Sequence, residues 1–517
     1  MSDDKRKCFL LLPRPVFPTV SGYSLKNYNL IRILSEKYAL TVGVISPSEL
    51  SDAEKDYYKS LGIRFFSWRI PRWKSCLSTA LGLFSRLPLQ VCYYYDRGLQ
   101  RRVDQEAEKA DVLIAALIRT RQYFSQFDRN AGRRKAGAET AEDGRRRAGA
   151  KAAEAGRRTG KRLVFDMVDS IAMNYARSEA STASMFWRLI YRIEGRRLAA
   201  YEKKWIRESD VTYLFNPEEQ KALSGYGSVR CVPHGVNGAL FTYEKDHAAE
   251  LEAYLSAGGA PVDCTEKTAD GAPVDCAEKT VGGASVGGAG KDENGAPLEN
   301  AVVFMGKMNY QPNVDAALWY LKNVHPKIAD RIPFVIVGAY PTEEIRKAAA
   351  GLKNVTVTGF VEDPYLYVSA AMAAVAPMQS GGGIQNKVLE SMALGKVNLV
   401  SPLAAAALEG LENGCCAGER VMYICRTPEE YADRLLDMAE KTAEKRSLGR
   451  GNETGHADET EHVDETGRAL GFSEYENAGR AAREYENIGR AAREYIRRHY
   501  TWEKYGEAYL KGIEGER

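Results

Sequence analysis

Nine cysteines are scattered through the 517 residues without a single C-x-x-C pair or any spacing of the kind that holds zinc. That excludes a disulfide framework and a structural metal site as the organising device, and a reducing, cytoplasmic setting is the simpler expectation. Charge of one sign is also missing: 72 Lys plus Arg stand against 69 Asp plus Glu, a formal balance of +3. A globally basic nucleic-acid binder is therefore excluded, although local asymmetry is not. The first apolar run, Phe9–Leu12, is far shorter than a signal peptide or a membrane span. A phosphate loop of the Walker type is absent as well. In GGASVGGAGKD, Gly282–Asp292, the first required Gly is Ser285 and Asp292 stands where Ser or Thr should follow Lys291.

Three stretches break the composition of a folded domain, the first of them without a single large apolar residue. Residues 129–161 are almost wholly Ala, Gly, Arg and Glu. Residues 246–300 are rich in Gly and Ala and contain GAPVDCTEKTAD followed at once by GAPVDCAEKTVG. Residues 446–492 end in the tandem EYENAGRAAR and EYENIGRAAR. Two copies of ten or twelve residues are too few and too short for a solenoid. All three read as solvated insertions, the first of them disordered, that cannot offset their ordering entropy by burial. The recurrence of Tyr475, Tyr485 and Tyr495 allows the last to be partly helical. Arg129–Arg162 carries 12 Lys/Arg against 4 Asp/Glu but no aromatic residue to stack on a base, so no nucleic-acid partner is expected.

What remains, about 380 residues, suits two α/β domains. Phe9–Leu12 reads as a strand, followed by a Pro/Gly loop and a helix with Leu25, Leu30, Ile31 and Leu34 on its apolar side, then the β-rich run Ala39–Ile45. That is the start of a βαβ unit. Val112–Ala116, Leu163–Phe165, Val211–Phe215 and Val229–Val232 continue as apolar runs of the type buried on both faces of a parallel sheet. The grammar restarts with strands Ala301–Met305, Phe334–Val337, Val355–Thr358, Ala373–Ala376 and Val397–Val400, with helices such as Val314–Val324 and Val388–Leu394. The expected fold is α/β: two doubly wound Rossmann-like domains facing across a crevice, with three low-complexity insertions. The boundaries read as 1–238 for the first domain, 301–492 for the second, and 493–517 for a C-terminal helix returning toward the first.

The densest constellation is SGGGIQNKVLESMALG, Ser380–Gly395. Three glycines after a buried strand and before a helix expose backbone N–H groups at a helix start, an anion site suited to a diphosphate. Lys387 and Glu390 lie one turn apart on the same helix face. A cation for phosphate beside a carboxylate for ribose hydroxyls is the chemistry of nucleotide-sugar binding. In the first half, Asp166 and Asp169 follow a strand, where Asp169 reads either as orienting an acceptor hydroxyl or as a helix cap. His234 reads as lining the crevice or as part of a hinge loop, and His325 as a helix end. Trp68–Lys74 and Met185–Trp205 mix aromatics with cations, as a face lying on an anionic membrane would, or as core-facing elements with a solvated basic side.

The run GIQNKVLESMALGK resembles the donor-site signature of glycosyltransferase family 4, retaining enzymes of the two-Rossmann GT-B fold, and is especially similar to bacterial exopolysaccharide-associated members. VPHGVNGALF (Val232–Phe241), FMGKMNYQPNVDAA (Phe304–Ala317), VTVTGFVED (Val355–Asp363) and YTWE (Tyr500–Glu503) resemble further segments of that family in order and spacing. The resemblance implies that Glu390 holds the ribose, and that Gly381, Gly382 and Gly383 present N–H groups to sugar and diphosphate. It implies that Lys307 stands where an Arg usually faces the diphosphate, and that Gly22 lets the N-terminal loop approach the phosphates. Two positions depart from the pattern. Gly382 replaces a Glu that usually contacts the donor sugar, and Pro312 replaces a Lys, for which Lys387 is the expected substitute.

The expectation is thus a retaining hexosyltransferase in exopolysaccharide or cell-surface glycan synthesis, with Asp169, Lys307 and Lys387 as its catalytic groups. The alternatives are an idle nucleotide-sugar-binding subunit and a GT-B epimerase. No D-x-D occurs in the chain. No metal or other cofactor is therefore expected, and lysines and helix dipoles would neutralise the leaving group. Expected partners are a nucleotide-sugar donor, a glycan or lipid-linked acceptor and an anionic membrane touched peripherally, with the protein in the cytoplasm or at the inner face of the cell membrane.

Overall fold

The computed structural model describes residues 5–19, 22–127, 160–182, 184–256, 300–381, 383–453, 462–463, 469–470 and 472–515. The chain divides into two compact units. One comprises Met1–Gly235, Gly382–Ile384 and Trp502–Arg517, the other Val236–Gly381 and Gln385–Thr501.

In the first unit, strands β1 (Lys7–Leu12), β2 (Ala39–Ser46), β3 (Arg64–Arg69), β4 (Val112–Ala116), β5 (Arg162–Val168), β6 (Val211–Leu214) and β7 (Val229–Cys231) form one sheet. Its order is β3-β2-β1-β4-β5-β6-β7, with every pair parallel. The helices between them are α1 (Gly22–Lys37), α2 (Asp52–Ser60), α3 (Arg72–Gly82), α4 (Leu89–Tyr93), α5 (Arg97–Lys109), α6 (Ile171–Ser181), α7 (Met185–Glu208) and α8 (Pro217–Leu223). Alternate residues of β1 serve opposite faces, as the two-residue strand period requires. Leu10 and Leu12 join Leu30 and Leu34 of α1, whereas Phe9 and Leu11 join Leu99 and Val103 of α5. The C-terminal helix Trp502–Glu514 packs Tyr505, Tyr509 and Ile513 into the first of these cores. Tyr213 of β6 donates its hydroxyl to the Tyr509 carbonyl at 2.5 Å.

The second unit repeats the plan. It contains α9 (Ala248–Ser256), β8 (Val302–Met305), α10 (Gln311–Asn323), β9 (Phe334–Val337), α11 (Glu343–Ala350), β10 (Val355–Gly359), α12 (Pro364–Ala370), β11 (Ala373–Ala376), α13 (Asn386–Ala393) and β12 (Val397–Val400). The parallel order is β10-β9-β8-β11-β12, closed by a two-residue edge strand at Tyr423–Ile424. Helices α14 (Pro428–Glu453) and α15 (Phe472–His499) follow. Both sheets therefore reverse direction at their first strand, between β1 and β4 and between β8 and β11, and that reversal is where open α/β sheets bind ligands.

Two insertion boundaries move. In the last repeat copy, Ile488 and Ala492 are buried, and the Arg493 guanidinium donates to the carbonyls of Ala393 (3.1 Å) and Leu394 (2.5 Å). That copy belongs to the folded unit rather than to a solvated insertion. Likewise Ala248–Ser256 is helical, with Tyr254 buried edge-on against Tyr367 at 5.1 Å. The Gly/Ala-rich repeat of the second insertion and nearly all of 129–161 lie outside the described residues.

Candidate active site

The second unit builds its site at the ends of β8 and β11. Gly306 and Gly338, directly after β8 and β9, have φ of +159° and +150°. A Cβ on Gly338 would overlap the Gly306 carbonyl oxygen, so bare backbone is what lets these two loops touch. A Cβ on Gly306 would stand 2.7 Å from Asn313 Nδ2 and 3.2 Å from Lys387 Nζ. The missing side chain thus makes room for a polar pair.

Asn313, in the first turn of α10, clamps that pair. Its Nδ2 donates to the Lys307 carbonyl at 3.0 Å, and its Oδ1 accepts from Lys387 Nζ at 2.5 Å. Lys387, in the first turn of α13, also lies 3.8 Å from Met378 Sδ and 4.4 Å from the Phe304 ring centroid. Its neighbours at contact distance are thus an amide, a sulfur and a ring; among the described residues no carboxylate stands within ion-pair range. Loss of water lowers the Lys387 pKa to about 7, against the pull of Glu390. Loss of water likewise raises the Glu390 carboxyl to about 7, opposed by a hydrogen bond from the Tyr365 hydroxyl and by Lys387. Burial and the Glu390 charge hold the Tyr365 hydroxyl well above its ordinary value.

Neither Tyr310 nor Gln385, the residues preceding α10 and α13, caps its helix with a side chain. An anion there would meet N–H groups and the positive end of a helix. Gly381 (φ +101°) passes over the start of α10, where a Cβ would sit 3.2 Å from Pro312 Cβ. Just before it, Ser380 Oγ donates to Asp315 at 2.7 Å. Gly383 has φ +76°, and Gly382 lies outside the described residues. Lys307 differs from Lys387: its backbone is tied to Asn313, while its exposed side chain reaches over Tyr340, 5.4 Å from the ring centroid. Asn313 and Tyr365 were not legible as site residues, although Asn313 directly follows the helix-opening Pro312.

The first unit holds Gly22, the first residue of α1, and Asp169. Strand β5 ends in a register shift between Asp166 and Val168, and the β-branched Val168 adopts φ +70°, a strained conformation that turns the chain sharply. Asp169 comes next. Its carboxylate accepts from Asn174 Nδ2 at 2.8 Å; burial raises its pKa, while Asn174, Arg119 and Arg177 oppose the rise. The cap of α6 is Ser170, whose Oγ accepts from the Met173 N–H at 3.2 Å, so Asp169 is not spent on capping. Glu219 and Glu202 accept from the Ser170 N–H and hydroxyl, each at 2.7 Å, and burial raises both carboxyls to about 7. Asp166 plays a different part. It is fully buried, paired with Lys26, and accepts from Tyr509 at 3.1 Å. His234 is buried too, between Phe215 (5.2 Å) and Trp502 (6.1 Å), as a core residue.

Residues 299–441 match the family model described as Glycosyl transferases group 1. A search of curated proteins finds no significant match. Among solved structures, HepE from Anabaena in complex with UDP is similar over 98% of this chain and 99% of its own, at 12% identity and a TM-score of 0.54. Sucrose-phosphate synthase from Thermosynechococcus elongatus matches over 98% of each chain at 12% identity and a TM-score of 0.52. A glycosyltransferase from Rickettsia africae matches over 99% of this chain and 98% of its own at 10% identity and a TM-score of 0.52. The domain that carries Lys387 and Glu390 is thus a group 1 glycosyl transferase domain, and the chain is a glycosyltransferase of the GT-B fold.

Proposed function

We propose that this glycosyltransferase moves a hexose from a nucleotide-sugar to a glycan or lipid-linked acceptor, with retention of configuration, in exopolysaccharide or cell-surface glycan synthesis on the cytoplasmic side. The observation that carries the reading is Lys387: a cation at the switch point of the second sheet, held by the neutral Asn313 rather than by a carboxylate, one turn from Glu390. A nucleoside diphosphate supplies the missing negative charge, and Glu390 accepts from its ribose hydroxyls.

In the proposed reaction the acceptor hydroxyl attacks the anomeric carbon on the face from which the diphosphate departs. A carbon–oxygen bond forms to the acceptor, the bond to the phosphate oxygen breaks, and the hydroxyl proton passes to that oxygen. Lys387, Lys307 and the N–H groups of the Gly381–Gly383 loop stabilise the departing charge. Gly22 admits the N-terminal loop to the phosphates, and Asp169 orients the acceptor hydroxyl. No metal takes part in this scheme. The similarity to HepE, whose structure was solved with UDP and with UDP-glucose, supports starting the donor search with uridine nucleotides.

A screen of UDP-, GDP- and ADP-hexoses, with and without membrane extract as acceptor and with EDTA present, tests the reading. Release of one nucleoside diphosphate, with its sugar on an extract component, is the expected result. Binding without turnover would instead favour an idle subunit, a reading that Gly382 in place of the donor-contacting Glu motivates. Recovery of an epimerised nucleotide-sugar would favour the epimerase. Asp169→Asn is expected to raise the acceptor KM while leaving donor hydrolysis unchanged; the reverse pattern would remove Asp169 from the acceptor side.

A further inference from the structure

Two neighbouring helices of the first unit are inside out. Helix α3 buries Ser75 and Gly82 and exposes Trp73, Leu77 and Leu81, which recur every four residues on one face. Trp73 and Leu81 are 64% and 65% exposed, and Phe84, just past the helix end, is 93% exposed. The first half of α7 does the same: Glu194 is buried while Met185, Phe186, Trp187, Leu189 and Ile193 are exposed. A water-facing helix normally shows the opposite pattern. The two are joined directly, because Arg197 of α7 donates to the Leu83 carbonyl at 2.9 Å and Glu194 accepts from the Leu89 N–H at 2.8 Å. The exposed apolar side chains thus sit on two adjoining elements, a clustering of the kind that marks an interaction surface.

Its charge selects the partner. From Trp68 to Tyr95 the chain has no acidic residue, while Arg69, Arg72, Lys74 and Arg86 are all exposed. In the first half of α7, Met185–Arg197, the exposed cations are Arg192 and Arg196, and the one acidic residue is the buried Glu194. Glu179 neutralises Arg192 alone, at 2.7 Å. Beside this face a groove of about 490 Å³ opens along α6 and α7, lined by apolar Ala172, Ala199 and Leu223, by the cations Arg192, Arg196 and Lys203, and by Glu179 and the buried Glu202. Tyr191, which stacks on Trp187, joins the groove to the exposed face. A second copy of the chain docked on the same face would set cation against cation, which disfavours self-association.

We propose that the α3–α7 face is an in-plane docking surface for an anionic phospholipid bilayer. The aromatic and aliphatic side chains enter the headgroup boundary, and the ring of arginines and lysines meets lipid phosphates. The face is narrower than Trp68–Lys74 and Met185–Trp205 implied, because Trp68 packs on the core and Leu198, Tyr201 and Trp205 are buried. It also gains Leu77, Leu81 and Phe84, which the aromatic-cation pattern did not single out. The inference stands apart from the donor chemistry, since none of these residues belongs to the donor machinery.

The test is flotation of the full chain with vesicles of phosphatidylcholine alone or mixed with phosphatidylglycerol. Binding should favour the anionic vesicles by about tenfold or more and weaken as salt rises. Replacing Leu81, Phe84 and Trp187 together by Ser should reduce binding by about tenfold or more, and Arg72→Gln with Arg86→Gln should erase most of the anionic preference. Melting temperature and donor hydrolysis should stay as in the unaltered protein. Should the Ser variant fail to fold, the lipid and salt dependence of the unaltered protein still decides. Binding to neither vesicle, equal binding to both, or a dimer in light scattering that these substitutions dissociate would each overturn the proposal.

Discussion

Each unit sets a lysine from a helix against the end of its parallel sheet, and the two lysines have opposite fates. In the first unit Lys26 meets Asp166 directly, both fully buried, and Tyr509 of the C-terminal helix closes over the pair. In the second unit Lys387 meets, among the described residues, Asn313, Met378 and Phe304 at contact distance. Burial lowers both pKa values; Asp166 in direct contact offsets it for Lys26, whereas for Lys387 the offset comes from Glu390, which lies beyond ion-pair contact. A lysine whose counter-ion is built in is a structural element. One held by an amide is receptive to an anion from outside. The comparison teaches that the pairing, more than the position at a strand end, separates scaffold from site.

The comparison breaks most sharply at Asp166. Asp166→Ala leaves Lys26 buried without its partner and should cost about 3–5 kcal/mol of stability in urea unfolding, whereas converting both to apolar residues of similar volume should recover most of the loss. Next comes Lys387→Ala, which should cut donor turnover by about 10²–10³-fold. Its stability should change by only about 1 kcal/mol, because a single hydrogen bond is lost. Unchanged donor affinity and turnover in this variant would show that Lys387 is not the phosphate cation.

A smaller effect is expected in the pH profile. Lys387, lowered to about 7, loses its charge as pH rises, and Glu390, raised to about 7, loses its own as pH falls. The profile of kcat/KM for the donor should therefore be a bell near neutrality, and Glu390→Gln should lower its height and remove the acid limb. The smallest expected change is at Tyr365. Without its hydroxyl the Glu390 pKa rises further, so Tyr365→Phe should move the acid limb upward by about half a unit. An acid limb that stays in place would mean that another group sets it.

Much of this was legible because the strands are buried on both faces. Phe9–Leu12 and Val112–Ala116 read as continuous apolar runs and stand in the middle of the first sheet. Strand β3 escaped notice, since RFFSWR lies at the sheet edge with Arg64, Ser67 and Arg69 exposed and no residue fully buried, and such a pattern resembles a loop. Helix α15 was misjudged in part because its composition is that of a solvated repeat. Its few apolar residues, Ile488, Ala492 and Tyr495, nonetheless recur at helical spacing and are buried. At the site, Lys387 and Glu390 could be paired from their three-residue separation. Asn313 could not, because its role depends on a lysine 74 residues away, just as that of Asp166 depends on one 140 residues away. Local spacing is written in the sequence, while a polar partner brought in by the fold is not.

Calorimetric titration of the intact protein with UDP, GDP and ADP across neutral pH, beside Lys387→Ala, tests the central assignment most directly. One nucleotide should bind the unaltered protein, and its affinity should fall as pH rises through about 7, where Lys387 discharges. In Lys387→Ala the affinity should be at least about tenfold weaker, and that fall should vanish. Equal affinity in both proteins, with the same pH dependence, would contradict the assignment.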